Sequence, residues 1–287
     1  MEKTNNKPDV QHSATLTRFF NVFFIALIVG LIILVITLIP LKIYNDNFKS
    51  AKDILSDRDY EHGDALYQEA SKKLQSVINH IVFGHHRQDA YFGLLILTAR
   101  NYTDTGDDEE MNRILDEIME KPFKPEFKQN ARYNAAAAQY ERVLKLHAGG
   151  NAEHDMINAI IKEARNEIYD LDYFGYQNPE MYIIWSSLFQ LAGEYEPDKA
   201  MKEEYKEGEL TILENGYYNF PLDLGIMIKL SYVLYERWSE RIDKPEAIRD
   251  RIQKLNSDIT NGYDTGEDTV KEAVYEEYID WYDREFK

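Results

Sequence analysis

Four residues close together in the chain, His80, His85, His86 and Asp89, are of the types that ligate transition metals. A turn at Gly84 could bring their imidazoles together, which would suit a membrane-tethered metal-dependent enzyme or a ligand sensor. Adjacent histidines in a short interhelical loop also read as solvated polar residues, and no Glu-x-x-His pair of the diiron-bundle kind supports the metal. Two acidic turns, Asp104 to Asp108 and Asp264 to Asp268, lack the alternating oxygens and closing Glu of a calcium loop. They read instead as acids at helix starts, where the backbone carries partial positive charge. The chain has no G-x-S-x-G, no phosphate loop, no H-E-x-x-H and no G-x-G-x-x-G, and its lack of cysteine excludes thiolate chemistry and disulfides. Asn101-Tyr102-Thr103 matches a glycosylation sequon. The expectation from these residues is no cofactor and no catalytic group.

The residue types that do stand out are aromatic, with 21 Tyr concentrated late in the chain. On a terminal helix, Tyr275, Tyr278, Trp281 and Tyr282 fall on two adjacent stripes, edged by Glu272, Glu276, Glu277, Asp280 and Asp283. Tyr217, Tyr218 and Phe220 form a second group at a turn. Tyr and Trp supply large contact area at little entropic cost, so both groups are candidate partner-binding surfaces. The competing reading is that the last helix uses its aromatics to pack on its predecessor.

Charge narrows the partner. Of 287 residues, 51 are acidic and 33 basic, and residues 51–287 alone carry a net charge of −20. Such a field repels phosphate backbones, which excludes nucleic acid, and steers in a protein with a basic surface.

These side chains need elements to hold them. Phe19 to Leu41 contains no charge and is bounded by Arg18 and Lys42; as a helix it spans about 34 Å, a full bilayer crossing. No small-x-small cleavage site follows, so the span reads as a retained anchor behind a short tail, residues 1–18. Flanking charges do not set its direction; a short tail favours a long domain on the far side, which in a bacterium means the inner membrane with the C-terminal domain in the periplasm.

From residue 44 to 287 the apolar residues recur at helical spacing, giving an all-α class. Ile157, Ile161, Ala164, Ile168 and Leu171 form one stripe, and Ile184, Leu188, Leu191 and Tyr195 another. Ile226 to Leu234 is apolar all round, as in a helix covered on several sides. Ala135 to Ala138 offers a small-residue surface for close approach. Gly106, Pro122 to Pro125, Gly149-Gly150, Asn178-Pro179, Glu196-Pro197, Phe220-Pro221 and Lys244-Pro245 mark breaks. The breaks predict helical hairpins beginning near 44, 87, 128, 177 and 222, a nearly regular array of antiparallel pairs in a soluble, acidic domain that is either a solenoid or an irregular bundle.

Residues 92–125 resemble one tetratricopeptide repeat, with Ala99, Tyr102, Gly106, Leu115 and Pro122 near that repeat's small, aromatic, turn-glycine, apolar and closing-proline positions. Met111 stands where the repeat has a small residue. Trp185 and Leu188 echo the opening of another copy, with Phe189 in place of its glycine. The resemblance implies a concave protein-binding surface without catalytic machinery. The expected function is a non-enzymatic, membrane-anchored scaffold or adaptor in a membrane or cell-envelope assembly, for example one concerned with protein or polysaccharide export.

Overall fold

The computed structural model describes residues 28, 29, 38, 42, 46–54, 65–80, 84–150, 154–241, 244–265 and 272–286. Among them every regular element is an α-helix. No described helix is long and apolar enough to cross a membrane; the expected span Phe19 to Leu41 lies outside the described residues except at Ile28, Val29 and Leu38, which are helical and about half exposed.

The chain divides into two units, Met1–Leu97 and Thr98–Lys287. In the first, helical residues 46–54 pack beside α1 (Ala65–His80), where Asn47 Nδ2 donates to Ser76 Oγ at 3.3 Å and Lys73 Nζ to Ser50 Oγ at 2.6 Å. Ala51, Ala70, Leu74 and Val77 are fully buried here.

The second unit begins within α2 (Gly84–Thr105) and continues through α3 (Glu109–Glu120), α4 (Pro125–Gly149), α5 (His154–Tyr173), α6 (Pro179–Tyr195), α7 (Lys199–Asn219), α8 (Leu224–Glu240), α9 (Glu246–Thr265) and α10 (Glu272–Phe286). From α3 to α9 each helix packs on the next, and in addition α4 packs on α6 and α6 on α8. Helix pairs are therefore stacked through their first members, an arrangement compatible with a helical repeat. The first members start at residues 84, 125, 179 and 224, within three residues of the expected starts. Their spacings of 41, 54 and 45 residues are less regular than the sequence suggests.

Local chemistry explains the boundaries. Pro125 and Pro179 open α4 and α6, where a missing N–H costs nothing. The Asn178 side chain accepts from the Glu180 N–H at 3.0 Å, and Asp198 Oδ1 from the Ala200 and Met201 N–H groups at 2.8 and 3.0 Å. Gly106 and Gly150 close α2 and α4 in the left-handed region, at φ 81° and 66°. The expected α5 stripe, Ile157, Ile161, Ala164, Ile168 and Leu171, is at most 2% exposed and meets Met181, Tyr182, Ile184, Trp185 and Leu188 of α6 in one core cluster. A second cluster joins α8, α9 and α10 through Leu230, Val233, Ile252, Ile259 and Tyr278. Phe189, where the tetratricopeptide pattern has glycine, finds its space in the facing helix: a Cβ on Gly208 of α7 would lie 2.3 Å from its ring.

Candidate functional site

The strongest candidate surface lies where α5 ends, α6 begins and α7 ends. The tie is one phenol: Tyr182 on the first turn of α6 donates to Asp172 Oδ1 at 2.7 Å and accepts from Asn219 Nδ2 at 2.9 Å. Burial, then the Asp172 carboxylate, pushes its pKa up to about 12, so the hydroxyl stays a donor throughout the physiological range. Gly216 permits this junction, since a Cβ there would lie 2.9 Å from Tyr182 Cβ and 3.0 Å from Cγ. The chain ends of α5 and α7 are thus held around a single oxygen atom.

The α5–α6 turn is fixed from the other side by the start of α4. Gln129 Nε2 donates to the Phe174 carbonyl at 3.2 Å, Tyr176 Oη donates to Asn130 Oδ1 at 2.7 Å, and Arg132 bonds Glu167 at 2.8 Å and Asp170 at 3.3 Å. Gly175, at φ 77°, turns the chain, and the Tyr176 N–H returns to the Leu171 carbonyl at 2.9 Å. The α7–α8 turn is set by Pro221 and by Asp223, whose Oδ1 accepts from the Ile226 N–H at 2.8 Å. Both turns are fastened by hydrogen bonds, and both present apolar side chains to solvent. Tyr173 is 74% exposed, Phe174 64%, Tyr218 86% and Leu222 70%. Beneath Leu222 lies an open cavity of about 370 Å³, walled by Tyr217, Met227, Asp258 and Asn261.

The surroundings are acidic. Asp170 and Glu180 are exposed, Asp172, Asp223 and Asp258 half-buried. No lysine or arginine occurs between Arg165 and Lys199, between Lys206 and Lys229, or between Lys254 and Lys271, the three stretches that contain the two turns and the end of α9. Arg132, beside the end of α5, is engaged by Glu167 and Asp170, and Arg251 is engaged by Glu214 of α7. Exposed aromatics framed by an excess of carboxylates can bind an apolar segment that carries positive charge.

Of the expected contact residues, Tyr218 projects from this face, while Tyr217 and Phe220 are half-buried against the core. The α10 residues lie elsewhere. Tyr278 and Tyr282 are buried in the last core cluster. Trp281 packs at 4.5 Å between ring centres on Tyr232 and at 5.3 Å on Tyr235 of α8, and Tyr275 stacks on Tyr263 of α9 at 3.7 Å. Tyr235 also hydrogen-bonds Glu285. The aromatic stripes of α10 therefore cover α8 and α9.

Tyr173, Phe174 and Leu222 escape the helical-spacing argument because they sit at helix ends. The available signal was the combination of an aromatic pair ahead of Gly175 with a long stretch free of basic residues. The side chains of His80, His85 and His86 lie outside the described residues, and Asp89 is exposed. Among the described residues no three His, Asp or Glu side chains converge as metal ligands. Asp104 pairs with Lys145, and Asp107 Oδ1 accepts from the Glu109 N–H at 3.2 Å; the Asp264 to Asp268 turn lies mostly outside the described residues. Asn101 of the sequon is 6% exposed, within α2. Comparison of the chain with protein-family profiles, with curated proteins and with solved structures finds no match.

Proposed function

We propose that this protein is a non-enzymatic, membrane-anchored adaptor whose helical domain holds a basic protein partner on the face formed by the α5–α6 and α7–α8 turns. The observation that carries this reading is the exposure of Tyr173, Phe174, Tyr218 and Leu222 on two hydrogen-bonded turns whose own segments contain no basic residue. Monomeric chains seldom leave large apolar side chains clustered in water without a use for them. The stacked pairs support a tetratricopeptide-like mode of action, in which the array is a frame for recognition. The uncharged run Phe19 to Leu41 is the anchor, and the short tail before it favours the bacterial inner membrane with the domain on the periplasmic side.

Affinity capture with the full-length protein in detergent tests the adaptor. A specific basic partner should be retained at low salt, released as salt rises, and lost when Tyr173 and Tyr218 are both changed to Ser. Failure to retain any partner, or retention unaffected by the double change, overturns it. An enzyme reporter fused after Lys287, active on one side of the membrane only, tests the orientation.

A further inference from the structure

Midway along α7 a carboxylate stands where a hydrophobic residue is expected. Glu209 shares its helix face with Tyr205, Ile212, Leu213 and Gly216, and it is 5% exposed. The nearest cation is Lys229 Nζ of α8 at 3.9 Å, beyond hydrogen-bond reach, and that ammonium instead donates to Gln190 Oε1 of α6 at 3.3 Å. No described residue donates a hydrogen bond to the Glu209 carboxylate. Its ion pair with Lys229 is at the limit of contact, and the carboxylate opens on a cavity, where water or a ligand can donate to it.

Room for a ligand is present. Glu209 borders a half-open cavity of about 250 Å³ between α6, α7 and α8, the volume of roughly eight water molecules. Phe189 forms an apolar wall, its ring held in place by the Arg165 guanidinium 3.8 Å from its centre. The remaining charges grade from inside to outside. Glu209 is the deepest; Lys206 is held by Glu240 at 2.7 Å and by Glu236 at 3.6 Å; Glu194, Glu236 and the half-exposed Lys202 form the mouth. A donor inserted to the bottom meets Glu209, and whatever trails behind it meets Lys202.

We propose that this cavity binds the ammonium group of a small primary amine, inserted toward Glu209 with a neutral or anionic end at Lys202. The aliphatic stem lies along Phe189. The site shares no residue with the aromatic face and stands or falls separately from the adaptor reading.

Protonation reinforces the assignment. Burial, opposed by Lys229 and Arg237 and aided by Glu236 and Glu194, pushes the Glu209 carboxyl up to about 7. The groups facing it are Glu194 from α6, Lys206 from α7, and Lys229, Glu236 and Arg237 from α8. An ammonium favours the ionised carboxylate, so amine binding weakens as pH falls below about 7.

Calorimetric titration of the full-length protein in detergent supplies the test, with butylamine, 6-aminohexanoate, cadaverine, 6-acetamidohexanoate and a doubly capped lysine amide as probes. Binding should be tightest for 6-aminohexanoate, weaker for butylamine, weaker still for cadaverine with its outer positive charge, and absent for 6-acetamidohexanoate. Glu209→Gln, nearly identical in volume, should weaken butylamine binding at least tenfold while melting cooperatively. Capped lysine binding as well as butylamine assigns the ammonium to a protein side chain; butylamine alone assigns it to a free metabolite-sized amine. No amine binding by the unmodified protein, or equal binding by Glu209→Gln, overturns the proposal.

Discussion

The two halves of α7 solve opposite problems. Its C-terminal half is packed so closely on α6 that only glycine fits at position 216, yet two residues later the chain exposes Tyr218 almost completely. Its other half, from the start of the helix to its midpoint, places Glu209 on the buried face beside a cavity. One half leaves apolar surface in water and the other takes charge out of it. Each runs against the free energy of folding, and each is held by neighbours that are themselves well packed. The aromatics of α10 are a third case, in which apolar rings satisfy folding by covering α8 and α9.

The comparison can be broken most strongly at its tight end. Gly216→Val places a Cβ 2.9 Å from the Cβ of Tyr182 and two methyl groups beyond it, so the α6–α7 junction must open. A loss of about 3 kcal/mol in denaturant unfolding is expected, together with release of the Asp172 and Asn219 hydrogen bonds to Tyr182. A fall of under about 0.5 kcal/mol would mean that the two helix ends are not locked.

The other half has a pH signature. In the folded protein the Glu209 carboxyl is raised to about 7 from its ordinary value near 4.5, so the native state holds a proton that the unfolded chain releases as pH rises through that window. Stability associated with this residue is therefore present at low pH and lost by about pH 7. At 1.36 kcal/mol per unit the shift sets an upper bound of about 3 kcal/mol. Glu209→Gln should abolish the slope and be the more stable protein at pH 8, read as the difference between the two unfolding curves at pH 5 and pH 8. Parallel pH profiles would place Glu209 in an ordinary solvated setting.

A smaller effect is expected where α6 starts. Asn178→Ala removes the side chain that caps the Glu180 N–H at 3.0 Å, at a cost of about 1 kcal/mol in thermal or denaturant unfolding. No change at all would show that Pro179 alone fixes the junction.

How much of this was legible in the sequence depends on where a residue sits in its helix. The α5 stripe from Ile157 to Leu171 was readable because every member repeats at helical spacing and all are buried. The pair starts were readable because proline, glycine and Asx residues have fixed conformational uses at helix ends. Periodicity cannot say whether an amphipathic face meets another helix or a partner, which is why the α10 aromatics and Tyr218 looked alike. It also averages away a single misplaced charge: Glu209 interrupts an apolar face, a signal present in the sequence but drowned by the many exposed glutamates of an acidic chain. The spacing of the pairs was smoothed too far, because α4 and α5 are long helices and a break finds their ends without revealing how far each stacks.

Stability and binding should separate most cleanly at Tyr218. At 86% exposure its ring removes little surface from water, so Tyr218→Ser should shift the unfolding midpoint by less than about 0.5 kcal/mol. The same change removes the most exposed aromatic of the proposed docking face, and a central contact of this kind carries about 2 kcal/mol or more of binding energy. Partner capture should therefore drop about thirtyfold while the melting curve stays in place. Trp281→Ser makes the converse case: its ring is wedged against Tyr232 and Tyr235, so it should destabilise the α8–α10 cluster and leave capture by the folded fraction unchanged. If both substitutions weaken capture without affecting melting, α10 belongs to the binding surface. If both only destabilise, the exposed turns are not where a partner docks.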